Sequence, residues 1–495
     1  MNKLGFLTVV ATFVLGGCDS LSVRGEGENG INLETLRTSG INNDDQTRTE
    51  MRLQAVLDRD NSIGELSEGY AEFDANPNAT YALEALATLA LERNPEIRRA
   101  VEQLNLSEVE RLNAIFGYLP QVSLSFSQDT VDQTVVETDN VVFELGQANF
   151  PVTTFAVSLR QPIFDLSKIF DIQYAAAAQT KAEVNYIVAV RSVSYDIFDT
   201  ALAAEQSRNR ITSLQRRQNL LGRQISRNDV LRREGLTLDS QSAALRADRA
   251  TLLSDVANEQ GTLARALADL SRMTGTLVQN VAPFRAGSGV LGTERSLTVE
   301  QAVELGMVNN PEVMTSALAV VESELLRRGA LARDFSPVIE AYAILEEEDR
   351  GSSRFGGGSV TEDLTVGVAV TVPLFNAGGQ GYETLTRNVQ ERAATLDYYG
   401  TRRELESEIR STHARMGQLS TAISQARSAV SNASSAAVTE RRRVNAGESI
   451  DIALAAREIR LEAARERLAF QELEYYRAWA EFKFLTGADL AAGTL

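Results

Sequence analysis

The sequence predicts a mainly α-helical chain that contributes strands to a membrane β-barrel, and three observations lead there. The first is an apolar stripe in which Leu405, Ile409, Thr412, Met416, Leu419, Ile423, Ala426, Val430, Ala433 and Ala437 recur at steps of four and three without a slip. That is the seam of a coiled coil rather than the broad face of a globular helix. The second is a set of segments with period two, each apolar on one parity and small or polar on the other. The third is duplication: four motifs recur in the same order about 212 to 216 residues apart, as expected of a doubled half-molecule.

The stripe sets the scale. From Gln380 to Asn445 there is no Pro, and Gly appears only at 381, 400 and 417. At ~1.5 Å per residue such a helix is a rod of about 100 Å. The core of a 495-residue chain is then spread along an axis instead of being divided among globular domains.

Composition excludes several function classes. The net charge of −18 argues against wrapping nucleic acid, whose phosphates require a basic face. One Cys and one His leave no material for a structural zinc site, a Cys–His pair or a Ser–His–Asp triad. No enzyme activity, cofactor or metal is expected. A two-carboxylate glycosidase could find acids anywhere in this chain, but nothing marks a pocket to hold them.

In chain order, residues 1–17 read as a lipoprotein signal peptide. Lys3 gives a positive start, Leu4 to Leu15 is apolar, and Leu15-Gly16-Gly17-Cys18 follows, which resembles a bacterial lipobox. Cleavage before Cys18 would leave a cysteine carrying several acyl chains, enough for stable anchoring. An ordinary signal peptide with an incidental Cys is the alternative. Asp19 resembles an inner-membrane retention signal, so the address must be argued from the rest of the chain. Residues 18–80, rich in Gly, Asn, Asp, Glu and Ser with a possible short helix near Thr49 to Leu57, read as a lipidated tether.

The first structural repeat covers 81–280 and the second 296–488, with a linker at 281–295 and a tail at 489–495. Leu83-Glu84-Ala85-Leu86 leads to Asn94-Pro95-Glu96-Ile97, and Val299-Glu300-Gln301-Ala302 leads to Asn310-Pro311-Glu312-Val313. Pro suits the first turn of a new helix and Asn its N-cap. Pro162-Ile163-Phe164-Asp165 matches Pro373-Leu374-Phe375-Asn376, and Met273-Thr274-Gly275 matches Leu485-Thr486-Gly487.

Strands are expected near 120–128, 152–161, 338–345 and 364–373. Val122, Leu124 and Phe126 alternate with serines, and Leu364, Val366, Val368, Val370 and Val372 alternate with Thr, Gly and Ala. Their pattern and length suit a membrane β-barrel wall, with a soluble antiparallel sheet on a helical core as the alternative. The acidic segments Asp129 to Phe150 and Glu346 to Glu362 read as exposed loops.

Each strand pair is followed by a long antiparallel helical hairpin, one turning near Gly235 and the other near Gly447. In the first, Ile211, Leu214, Gln218, Leu221 and Ile225 keep the three-four step. In the second, Leu454, Leu461, Leu468, Tyr475 and Phe482 keep strict sevens, which favours a left-handed supercoil.

Four strands cannot stand alone in a bilayer, because two open edges would leave backbone groups unpaired in hydrocarbon. The barrel must be shared with copies of the chain. Two copies give eight strands and three give twelve; a small, polar inner face favours the larger ring.

Taken together, the Asn-Pro-Glu pair, the strands ending in Pro-Ile-Phe and Pro-Leu-Phe, the hairpins turning at Gly235 and Gly447, and the closing Thr-Gly resemble the TolC family of outer-membrane efflux proteins over about residues 81 to 488. The resemblance implies a homotrimer with a twelve-stranded β-barrel in outer-membrane lipid and an α-barrel through the periplasm. It implies passive conduction in a tripartite efflux or type I secretion system, with an inner-membrane transporter and a periplasmic adaptor as partners, and adaptor contact near Gly235 and Gly447. It also places the protein in the bacterial outer membrane despite Asp19.

In that family an aspartate after the second tip glycine helps form the periplasmic gate. Asp451 is the best match, on a tip two residues shorter than the family pattern, and Asp239 is its counterpart. The blander reading is two solvated helix-start residues. His413, beside the seam, reads as a half-exposed helix residue, and Trp479 and Phe482 as core. Arg441-Arg442-Arg443 reads as a solvated helix end or an acidic-partner contact. Tyr118, Phe164 and Phe375 read as an aromatic girdle or ordinary packing. The competing function is a periplasmic coiled-coil scaffold or adaptor lipoprotein that spans no membrane.

Overall fold

The computed structural model describes residues 79–136, 146–236, 239–284, 297–352, 357–374 and 381–488. Cys18, the expected short helix near Thr49 to Leu57, and Phe375 lie outside the described residues.

The first half runs β1 (Thr80–Tyr81), α1 (Leu83–Arg93), α2 (Pro95–Phe116), β2 (Gln121–Val135), β3 (Gly146–Asp165), α3 (Leu166–Arg233), α4 (Asp239–Thr274) and β4 (Asn280–Val281). The second runs α5 (Val299–Asn309), α6 (Pro311–Phe335), β5 (Val338–Arg350), β6 (Ser359–Thr371), α7 (Tyr382–Asn445) and α8 (Asp451–Leu485). The long helices have 68 residues in α3 and 64 in α7, or about 100 Å each.

The coiled-coil seam of α7 is buried at Leu405, Ile409, Thr412, Met416, Ile423, Ala426 and Ala437 and half-buried at Leu419, Val430 and Ala433. It faces α8, whose Trp479 and Phe482 are each 2 % exposed and centre the larger core cluster. The expectation for α3 is corrected. Ser213 is buried beside Leu214 and Leu220 beside Leu221, and Gln224 and Asn228 are buried as well, while Ile211, Gln218 and Ile225 are only half-buried. The reason is that α3 packs on α4 along one side and on α8 along another, so two narrow seams share one helix.

The duplicated short motifs meet in space. The Asn94 side-chain oxygen accepts from the Glu96 N–H at 2.8 Å and the Ile97 N–H at 3.4 Å, capping α2, while its amide donates to the Met273 carbonyl at 2.9 Å. Asn310 repeats this, accepting from Glu312 at 2.8 Å and Val313 at 3.4 Å and donating to the Leu485 carbonyl at 3.0 Å. Each Asn-Pro-Glu therefore clamps the end of the last long helix of its own half, and both asparagines are buried. The Thr-Gly that follows ends that helix. Gly275 (φ +63°) and Gly487 (φ +78°) are left-handed, the conformation that lets a helix close on its last carbonyls.

The four long strands form one antiparallel sheet in the order β2-β3-β5-β6, and the short β1 and β4 pair in parallel. The central pairing, β3 with β5, joins the two halves of the duplication. At the inner end of β3 the ladder shifts between Pro162 and Phe164. Pro162 has no N–H to give, and the Tyr118 hydroxyl donates to the Ile163 carbonyl at 3.0 Å. Asp165 then caps α3 through Ser167 N–H at 3.0 Å and Lys168 N–H at 3.3 Å, turning strand directly into helix.

The acidic segments expected as loops are corrected in part. β2 and β3 stay paired out to Val135 and Gly146, and β5 and β6 out to Arg350 and Ser359. On β2 and β5 polar residues occupy both faces there, while on β3 the alternation moves to the other parity, where Ala148, Phe150 and Val152 form a small buried cluster.

Candidate functional site

Pairing register gathers the apolar alternation of β2 and β6 and one apolar parity of β3 and β5 on one face. Across the sheet, Val122 lies level with Leu159, Ala343 and Val366, and Leu124 with Val157, Leu345 and Leu364. Among the described residues nothing covers this face on the two outer strands: Val122, Leu124, Phe126, Leu364, Val366, Val368 and Val370 keep 62–69 % of their surface exposed. A soluble sheet would lay such a face on its helices.

The opposite face is mostly small or polar, with Tyr342 and Ile344 of β5 and Phe150 of β3 as larger side chains on it. Ser123 lies level with Ser158, Ile344 and Thr365, and Ser125 with Ala156, Glu346 and Asp363. The Ser123 and Ser158 hydroxyls are 2.6 Å apart. One glycine on this face makes room for a ring. Tyr342 lies across Gly367, so that a Cβ there would sit 2.7 Å from the tyrosine hydroxyl. Among the described residues the sheet is open, with β2 and β6 as its edges.

Far along the chain from the strands, both hairpins turn in the same way. Leu236 N–H donates to the Leu231 carbonyl at 2.8 Å and Gly235 N–H to Arg232 at 3.0 Å; Glu448 donates to Arg443 at 2.8 Å and Gly447 to Val444 at 3.0 Å. These are the two bonds of a Schellman cap, which requires a left-handed residue. Gly235 (φ +74°) and Gly447 (φ +78°) supply it.

Asp239 and Asp451 each open the returning helix. Asp239 lies 3.1 Å from the Arg232 guanidinium of its own hairpin. The level of Asp451 is marked by Ile452, whose carbonyl accepts from Gln224 of α3 at 3.2 Å. Gln224 and Arg232 are eight residues apart on α3, about 12 Å. The two aspartates thus stand at different heights along the helices.

Arginines near the tips face carboxylates of the same chain. Arg441 bonds Glu458, Arg443 lies 3.4 Å from Glu440, and Glu440 also accepts from the Ser449 hydroxyl. A ladder absent from the sequence reading joins the hairpins to each other: Arg216 to Glu462 at 3.3 Å, Arg217 to Glu466 at 3.6 Å and Arg223 to Glu458 at 3.2 Å. Charges on an unpaired helix look solvated in sequence, and only the meeting of α3 with α8 reveals the match. Each such pair contributes ~1 kcal/mol or less, so the ladder fixes register more than it adds stability.

His413 is half-buried, its ring 6.1 Å from that of Phe482. In the helical body the Glu408 carboxyl is held above its ordinary range, first by burial and then by Glu404, Glu312 and Glu481. Among the described residues no group of His, Cys, Asp or Glu is placed to hold a metal ion.

No protein-family model and no curated sequence matches the chain. Solved structures do. The CmeC outer membrane channel of Campylobacter jejuni aligns with a TM-score of 0.66 at 16% identity, covering 82% of this chain and 85% of that one. The outer membrane protein VceC of Vibrio cholerae gives 0.64 at 15% identity over 82% and 96%. The open state of the Neisseria gonorrhoeae MtrE outer membrane channel gives 0.63 at 15% identity over 83% and 90%. The chain has the TolC-like outer-membrane channel fold.

Proposed function

We propose that this chain is one protomer of a passive outer-membrane channel, closed as a homotrimer and fed by an inner-membrane transporter through a periplasmic adaptor. The observation that carries the reading is the open sheet, with an apolar face uncovered and two edges unpaired among the described residues. In a ladder every second residue turns its N–H and C=O outward, so an edge the length of β2 leaves about seven residues unpaired. In hydrocarbon each such group costs several kcal/mol. A ring of copies satisfies them all. Three copies give twelve strands, and small polar side chains inside leave a passage. Among the described residues no helix is long and apolar enough to cross a membrane; the strands carry the membrane-facing surface. Cys18 would add a lipid anchor.

In this reading the tips at Gly235 and Gly447 surround the periplasmic entrance and meet the adaptor. The Asp451 carboxylates, related by the threefold axis, form its constriction. Asp239 stands at another height and already faces Arg232, so it contributes less. In planar bilayers the protein is expected to give cation-preferring channels. Asp451→Asn lowers that preference severalfold, whereas Asp239→Asn lowers it less. Equal conductance and preference in Asp451→Asn and the parent would remove the gate. Absence of channels in a preparation that retains its helical content would favour the scaffold reading.

A further inference from the structure

One row of the polar face of the sheet sets a cation beside an aromatic ring. Register holds Gln121 of β2, Arg160 of β3, Tyr342 of β5 and Gly367 of β6 level across all four strands. Arg160 is exposed, and among the described residues its guanidinium has no hydrogen bond and no carboxylate partner. Arg350, farther out on the same face, bonds Glu348. Tyr342 is half-buried. Its ring leans over Gly367, where a Cβ would lie 2.7 Å from the hydroxyl and 3.1 Å from Cε1, so the ring follows the wall of the sheet instead of standing away from it.

We infer that Arg160 and Tyr342 form a contact site for planar aromatic anions on the inner wall of the barrel. The inference rests on the channel proposed above, in which this face lines the passage. A guanidinium presents parallel N–H donors that match a carboxylate or sulfonate, while an aromatic ring stacks offset on that of a tyrosine. Residues directly opposite on neighbouring strands have Cβ atoms ~5 Å apart. A molecule that carries an acid on an aromatic ring spans that distance and meets both groups at once. An anion without a ring, or a ring without a charge, meets only one of them.

The carboxylates of this face stand in other rows. On β5, Glu340 is two residues farther in, about 7 Å, and Glu346, opposite Asp363 of β6, is four residues farther out, about 13 Å. The outer pair is thus beyond the ~8 Å over which charges in physiological salt act strongly, and Glu340 is the one acid of this face near enough to oppose a bound anion. β3 and β5 are the two central strands of the sheet, so each copy of the chain carries its site complete.

The test is photolabelling of the protein in separated outer membranes with 4-benzoylbenzoate, an aromatic anion whose excited ketone inserts into neighbouring C–H bonds, with the labelled peptides mapped by mass. Label is expected on β5 and β6 around Tyr342 and Gly367, competed by 2-naphthoate and not by hexanoate. Arg160→Gln should lower it about fivefold, the loss of one exposed charge pair, and Tyr342→Leu about threefold, the loss of an aromatic contact. Uncharged benzophenone, which enters the lipid, should label outward residues such as Leu364 and Val366 equally in the parent and in Arg160→Gln. The mass of the detergent-extracted particle is measured for each variant. Trimers of Arg160→Gln that take up 4-benzoylbenzoate around Tyr342 as well as the parent does, or competition by hexanoate as strong as by 2-naphthoate, would overturn the site and leave the channel intact. A monomeric particle from the parent would overturn the channel and the site with it.

Discussion

Asn310→Ala is expected to destabilise the protein by about 3 kcal/mol. Loss of an N-cap costs ~1 kcal/mol. The rest comes from a buried carbonyl and two N–H groups whose partner is gone, at ~1–3 kcal/mol for unsatisfied groups. Asn310 is 2 % exposed, and its amide bonds Leu485, 175 residues away. It therefore ties the entry of the second half to its last helix. The comparison is Thr298→Ala, which removes an exposed capping box at the start of α5 and should cost only ~1 kcal/mol. Denaturant unfolding of the detergent-solubilised protein separates the two. Equal losses would mean that the clamp on Leu485 contributes nothing. Asn94→Ala is expected to behave like Asn310→Ala, since Asn94 bonds Met273 in the same way.

Three glycines share a left-handed backbone and differ in surroundings, so their alanine variants should rank. At Gly487 a Cβ would lie 2.5 Å from the Asn309 Cβ and carbonyl oxygen; at Gly275 it would lie 3.2 Å from the Arg93 Cβ; at Gly447 nothing lies within 4 Å. The backbone strain alone is ~1–2 kcal/mol, which is the whole expected loss for Gly447→Ala. Overpacking adds ~1–3 kcal/mol at Gly487, making Gly487→Ala the most damaging, with Gly275→Ala between. Unfolding midpoints in that order support the close approach of the helix ends. A Gly447→Ala loss as large as that of Gly487→Ala would contradict it.

The parts legible in the sequence were those in which one side chain pattern answers to one neighbour. The α7 stripe packs chiefly on α8, so its steps of four and three appear unbroken. The α3 pattern was blurred because two partners divide its circumference, which makes Ser213 as buried as Leu214. The strands were legible only where one face is apolar. Beyond Phe126 and Leu345 polar residues occupy both faces of β2 and β5, and the alternation of β3 changes parity to Ala148, Phe150 and Val152, so a search for one continuous apolar face stops short of where the ladder ends.

Among the site residues, the turning glycines were visible as punctuation between helices. The aspartates after them were visible as helix starts, but their different heights required the packing of α4 and α8 on α3. The Asn-Pro-Glu and Thr-Gly motifs were each readable as a cap. Their contact across 175 to 179 residues has no local signal.

Extracting the protein with detergent from separated outer membranes, and measuring its mass corrected for bound detergent and lipid, tests the shared barrel most directly. The open edges of β2 and β6 predict a particle of three copies. A monomer or dimer released without detergent would contradict it and leave those edges to be closed some other way.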